Sequence, residues 1–217
     1  MGHAFGILMA HVGTLRTFGA PAPLTLGVRR HQMGYSIAWV AIRGTPLDQA
    51  LIAADLSETS TLAEFASRPF TGQALQNGWY LLVAKACDSP LIASKVLAEL
   101  SSSGQVVACS IEEHVMFSSA EFWQGGQSNW KVEHSSEKGV RHLSSSGSPP
   151  ASFKEVVAEA IRIQEQDSEV DYFFEVPLIL ARELCGFKHD EVCDGLNYER
   201  FLVYSKGQGQ KKWWQFW

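Results

Sequence analysis

No stretch of the chain strings together the roughly eighteen apolar residues that a membrane-crossing helix needs, so none of its 217 residues is expected to span a bilayer as a helix. Several motifs with a known chemical mechanism are also missing. There is no Gly-x-x-x-x-Gly-Lys-Ser/Thr loop, no Gly-x-Gly-x-x-Gly turn, no His-Glu-x-x-His and no Gly-x-Ser-x-Gly elbow, which removes the common nucleotide, zinc-protease and serine-hydrolase readings. Cysteine is scarce: Cys87, Cys109, Cys185 and Cys193 form no Cys-x-x-Cys pair, so neither a zinc knuckle nor a disulfide framework is indicated. Free thiols in a reducing, cytoplasmic setting are the expectation. Basic charge is short as well. Eighteen Lys and Arg against twenty-three Asp and Glu give a formal charge of −5, which argues against general nucleic-acid binding, since phosphate neutralisation needs a concentrated basic face.

Acidic residues are absent from positions 1–32, which carry Arg16, Arg29 and Arg30, with Pro21 and Pro23 in a Gly/Ala-rich setting. A secretory signal would place positive charge ahead of an apolar stretch, and Ala4 to Ala10 has none before it. An organellar transit peptide suits the lack of acids but not the lack of serine. Strand-like sequence starts directly after Met33, so we read Met33 as the initiator and residues 1–32 as a loosely ordered leader without function.

With 46% hydrophobic residues, the remainder has enough apolar material for one folded domain, placed at 33–204. Tyr35 to Ile42 reads as a strand covered on both faces. Thr45 and Pro46 then suit the start of a helix through Leu47, Ala50, Leu51 and Ala54. Residues 55–77 read as irregular, broken by Pro69 and Gly72. Trp79 to Ala84 is a second buried strand, Asp88 to Leu100 a helix, and Val106 to Ile111 a third strand. Closely spaced strand candidates follow near Ala120 to Trp123, Asn129 to His134 and Val140 to Leu143, an antiparallel meander. Ser144 to Pro150 reads as a connector and Phe153 to Ile163 as an amphipathic helix. Beyond them lie a short strand at Tyr172–Phe174, a helix at Pro177–Cys185 stopped by Gly186, and a last strand at Tyr198–Tyr204. The fold class is α+β, a mostly antiparallel sheet packed by three or four helices. The strand–helix–strand–helix–strand opening leaves a mixed sheet as the alternative.

Three constellations bear chemistry. Glu112, Glu113, His114, Glu121, Glu133, His134 and His142 lie on or beside the meander, where cross-strand neighbours could converge. Glu112, His114, Glu121, His134 and His142 are the set that would hold a divalent metal or act as acid and base. The simpler reading is a polar sheet face with cross-strand charge pairs. Cys185, His189 and Cys193 recur at four-residue intervals, yet Gly186 falls where a helix should stop, so the spacing does not place them on one face. Last comes the tail, in which Gly207-Gln208-Gly209-Gln210 is a linker and Lys211, Lys212, Trp213, Trp214, Phe216 and Trp217 close the chain. Aromatics beside lysines suit a groove on a partner protein, the membrane–water interface, stacking with nucleic acid, or the chain's own apolar surface.

Val106 to Met116, Val170 to Pro177 and Gly186 to Glu191 resemble segments of uncharacterised bacterial proteins across most of 33–217. The resemblance implies a bacterial, cytoplasmic protein and no particular activity. Taken together, the residues favour a non-catalytic binding or adaptor protein that meets another protein through the aromatic tail and the polar sheet face, with no cofactor. The alternative is a metal-assisted hydrolase or related enzyme on the meander, with a divalent metal.

Overall fold

The computed structural model describes residues 34–207; the leader at 1–32 and the aromatic-basic tail from Lys211 to Trp217 lie outside the described residues. Its first strand, β1 (Ser36–Arg43), shows why a large sheet forms. Ile37, Trp39 and Ala41 point to one face, Ala38, Val40 and Ile42 to the other, and all six are buried. Such a strand needs cover on both sides, with each fully buried large aliphatic contributing about 1.5–3 kcal/mol. Eight further strands follow: β2 (Leu56–Ala63), β3 (Phe70–Ala74), β4 (Tyr80–Ala84), β5 (Gln105–Glu112), β6 (Phe117–Gln124), β7 (Gln127–Ser135), β8 (Ser144–Gly147) and β9 (Phe201–Lys206). They form one nine-stranded sheet in the order β2-β9-β3-β4-β1-β5-β6-β7-β8. Every pairing in it is antiparallel, so the sheet is not mixed.

Among the described residues four α-helices cover the sheet, two to a side. On one side α1 (Leu47–Ala53) and α2 (Ser94–Leu100) bury Ala50, Leu51, Leu97 and Leu100 against Val40, Ile42, Leu82 and Val106; we call this the α1 face. On the other, α3 (Phe153–Gln164) and α4 (Glu175–Cys185) pack with Phe187 and Phe65 over Trp39, Leu81, Val107 and Val132, the α4 face. Helix α4 ends where expected, at Gly186 with φ +75°. The Asn77 side-chain amide donates to the Cys185 carbonyl there (2.8 Å) and satisfies one of its open acceptors. The α+β class is therefore seen, and among the described residues no helix is long and apolar enough to cross a membrane.

Several local expectations change. Residues 55–77 are not irregular but hold β2 and β3. Because β2 is an edge strand exposed on both sides over most of its length, it shows no apolar alternation to read. Tyr172–Phe174 is one turn of 3-10 helix, not a strand, because the Asp171 carboxylate accepts from the N–H groups of Phe173 and Phe174 (3.1 and 3.2 Å) and caps a turn that runs straight into α4. The last strand of the meander lies at Ser144–Gly147, in the stretch expected to be a connector, and Val140–Leu143 is turn and loop. Thr45 caps nothing: its hydroxyl donates to the Leu100 carbonyl (2.8 Å), tying the start of α1 to the end of α2, and Pro46 stands at the N-cap.

Candidate functional site

The sheet register sorts the chemistry-bearing residues by face. Glu121 lies opposite Ala108 on β5 and Lys131 on β7, and Glu133 lies opposite Ser119 and Ser144. Since Ala108 belongs to the α1-face core, Ser119, Glu121, Lys131, Glu133, Ser144 and Ser146 share that face. The Lys131 ammonium bridges Glu121 (3.2 Å) and Glu133 (3.4 Å), and Lys138 reaches Glu133 (3.4 Å). Glu121 also accepts from the Trp123 indole (2.9 Å). Partial burial pulls the Lys131 pKa down, but the two carboxylates outweigh it and hold it above its usual value. Beyond this row β8 is exposed along its whole length and forms one edge of the sheet.

Glu112 also lies on the α1 face, since it pairs with Ser36 at the far end of β5. It is a hub: one oxygen takes the His114 ring Nδ1 (2.6 Å) and the His114 N–H, the other the Cys87 thiol (3.5 Å). The Ser36 hydroxyl, followed by His114, lowers its pKa to about 2. Glu112 and Ala108 are four residues apart on one strand, so Glu112 and Glu121 sit about 13 Å apart along the sheet. His134 belongs to the opposite side. It pairs with Ser118 next to Val132 of the α4-face core, its ring fully buried, with Nε2 on Asp171 (2.9 Å) and Nδ1 on the His142 carbonyl (2.7 Å). Each ring nitrogen thus faces an oxygen of a neighbouring element. Of the five residues of the metal reading, then, Glu112 and His114 meet. Glu121 shares their face at a distance, and His134 meets only the backbone of His142. Among the described residues no group of three or more His, Cys, Asp or Glu is placed to hold a metal ion.

A second cluster joins two of the constellations. Glu113, one residue past Glu112, turns to the other side, where one carboxylate oxygen accepts from His189 Nε2 (2.8 Å) and the other from the Tyr35 N–H (2.7 Å). Burial works against the Glu113 carboxylate, but these two donors prevail and leave its pKa below the usual value. The His189 ring stands edge-on to Tyr35 (5.2 Å between centroids), with Asp190 3.7 Å from Nδ1. Lys188, 6% exposed, grips Glu175 (2.8 Å) and both oxygens of Asp190 (2.6 and 2.8 Å). Burial lowers the Lys188 pKa and the carboxylates raise it, the net direction being upward. Arg182 donates from Nη1 to both carboxylate oxygens of Glu191 (2.7 Å to each). These bonds fasten the irregular crossing at 186–200 to α4 and to the ends of β1 and β5. The ring of His189 is buried, with Nε2 on Glu113 and Nδ1 without a hydrogen-bond partner among the described residues, so the cluster's evident role is to position backbone.

Cys185, His189 and Cys193 do not converge as a ligand set. The Cys185 thiol donates to the Ala181 carbonyl (3.3 Å), with burial pushing its pKa up to about 12, while Cys193 donates to the Gly186 carbonyl (3.4 Å). Reading the sequence missed Asp171, Glu175 and Lys188. His189 and Glu113 lie 76 residues apart in the chain, so their contact left no local trace. The run Lys188-His189-Asp190-Glu191, four charged or titratable residues after a helix stop in a chain with only 19% charged residues, was the available signal. Compared with known protein families, with curated proteins and with solved structures, the chain matches none.

Proposed function

We propose that the chain is a non-catalytic binding or adaptor protein that meets a protein partner through the polar part of the α1 face and the edge strand beside it. One observation carries this reading: Glu121, Lys131, Glu133 and Lys138 form a partly exposed row of alternating charge that leads onto β8, which is exposed throughout. A mixed-charge row fixes the register of a partner more than it adds affinity. An edge strand offers main-chain donors and acceptors for strand addition. The tail residues Lys211, Lys212, Trp213, Trp214, Phe216 and Trp217 would supply the aromatic anchors that the row lacks. Four free cysteines support a reducing, cytoplasmic setting.

The test is affinity capture with the full chain and with the charge-reversed variant Lys131→Glu/Glu133→Lys, both checked for folding by circular dichroism. A protein retained by the parent and lost by the variant supports the reading; equal capture by both, or none, counts against it. Metal content is measured on the same samples. Stoichiometric divalent metal that disappears in His114→Ala would replace this reading with the metal-assisted one.

A further inference from the structure

The α1 face is unevenly covered. Over β1 and β5 the helices close it, but toward β2 it carries an apolar strip. Leu62, 46% exposed, lies opposite Leu202, and Leu202 lies opposite Gly72 in the row that runs on to Leu82. In the adjacent rows Phe70 pairs with Ala84 and Tyr80 with Ile42. Leu202, Phe70 and Tyr80 are only partly buried where they pack on this core. Ile52 on α1, which contacts β2, is 75% exposed. The chain leaves its described part at the border of the same strip. The Gly207 N–H donates to the Asp55 carbonyl (2.7 Å), in the turn between α1 and β2, and Lys206 lies opposite Leu56.

We propose that in the free protein residues 213–217 of this same chain occupy that strip. Length allows it. Trp213 stands six residues past Gly207 and can reach about 20 Å, Trp217 about 33 Å, whereas Leu202 lies about 13 Å back along β9 from Lys206. Charge favours it: Lys211 and Lys212 must pass the exit, where Asp55 and Glu58 are exposed, and Glu58 shares the face of its cross-strand neighbour Tyr204. Composition demands a cover of this kind, since three Trp and one Phe in five residues would otherwise form an exposed apolar patch. The inference goes beyond the adaptor reading, because it concerns the free chain and holds or fails without any partner.

Counting exposed indoles tests it directly. Trp39, Trp79, Trp123 and Trp130 are all buried, at 1%, 2%, 8% and 4% exposure, so any solvent-exposed tryptophan of the seven belongs to the tail. The full chain labelled with 5-fluorotryptophan gives seven fluorine resonances, and the shift of each between H2O and D2O reports its contact with water. The expected result is no fully exposed resonance in dilute, monomeric protein, and three in Leu62→Lys, which places a charge on the strip at an exposed position. Three exposed resonances in the unmodified chain would overturn the proposal whatever the variant does. So would protection that appears only as sedimentation shows a dimer, because a second copy would then be the occupant. Protection that survives Leu62→Lys and Leu202→Lys alike would also overturn it, by placing the tail elsewhere.

Discussion

His134 shows at the scale of one residue how this chain uses its titratable groups. A buried imidazole with an acceptor on each nitrogen and a carboxylate at 2.9 Å holds β7, the 142 turn and the start of the 3-10 turn together. Replacing it with Ala leaves the Asp171 carboxylate, itself only 10% exposed, without its imidazole partner. His134→Ala is expected to destabilise the protein by about 1–3 kcal/mol, the range for leaving buried hydrogen-bonding groups unsatisfied, read as a lower urea midpoint. His134→Leu combined with Asp171→Asn is expected to recover part of the loss, because Asn still caps Phe173 and Phe174 while both members of the side-chain hydrogen bond are replaced together. Lys188 does the corresponding work with a charge. Glu175 and Asp190 keep 33% and 41% of their side chains in water, so Lys188→Met is expected to cost about 2 kcal/mol, below the range for a fully buried pair. A melt unchanged by Lys188→Met would mean that the crossing at 186–200 is held by its apolar contacts and its backbone alone.

Elements differ in how openly the sequence announces them, and the differences follow burial. Strands β1, β4 and β5 are covered on both faces and appear as continuous apolar runs, while α3 and α4 show an apolar stripe and, for α4, a Gly stop; all were legible. The edge strands were not, because the signal is apolar alternation and an edge strand in water has none. Ser144–Gly147 is paired as β8 with β7, and Ser57–Leu62 in β2 with β9, partners that local sequence does not name. Gly72 misled for a related reason, since it reads as a breaker but sits in mid-strand because its neighbours approach too closely for a side chain. A Cβ there would lie 2.7 Å from the Leu81 carbonyl oxygen, 2.9 Å from the Leu82 side chain and 3.0 Å from the Tyr204 ring. Gly72→Ala is therefore expected to destabilise by about 1–3 kcal/mol, the range for overpacking, despite the better strand entropy of Ala. Thermal unfolding of the variant measures this, and a melting temperature equal to or above the parent's would show that β3 and β4 can part without cost. The candidate site was half legible on the same grounds. Cross-strand spacing along the meander foretold a charged face, whereas the His189–Glu113 and His134–Asp171 contacts needed the topology.

For the whole molecule these groups fix how stability responds to pH, and the sign can be worked out from each. Glu112, Glu113 and Asp190 have folded-state pKa values below those of free carboxylates, Glu112 at about 2. An acid depressed on folding contributes stability above its unfolded pKa and loses it as pH falls toward the folded one. The loss should begin near pH 4.5, the ordinary Glu value, and continue to about pH 2. At the other end Lys188 is raised by its carboxylates, and Tyr80 and Tyr204, whose hydroxyls meet at 2.5 Å, are raised by burial. A group raised on folding contributes fully below its unfolded pKa, so stability should fall again above about pH 10 as the unfolded chain releases protons that the folded one keeps. The expected profile is a plateau from about pH 4.5 to 10 with a loss on each side, measured as denaturant midpoints across pH 2–11. Each proton taken up on unfolding contributes a slope of about 1.4 kcal/mol per pH unit. Glu112→Gln removes one such group, so its acid limb should be shallower by up to that amount, with the alkaline limb unchanged. An acid limb of equal slope in parent and variant would mean that the Ser36, Cys87 and His114 contacts of Glu112 survive in the unfolded chain or contribute nothing to folding.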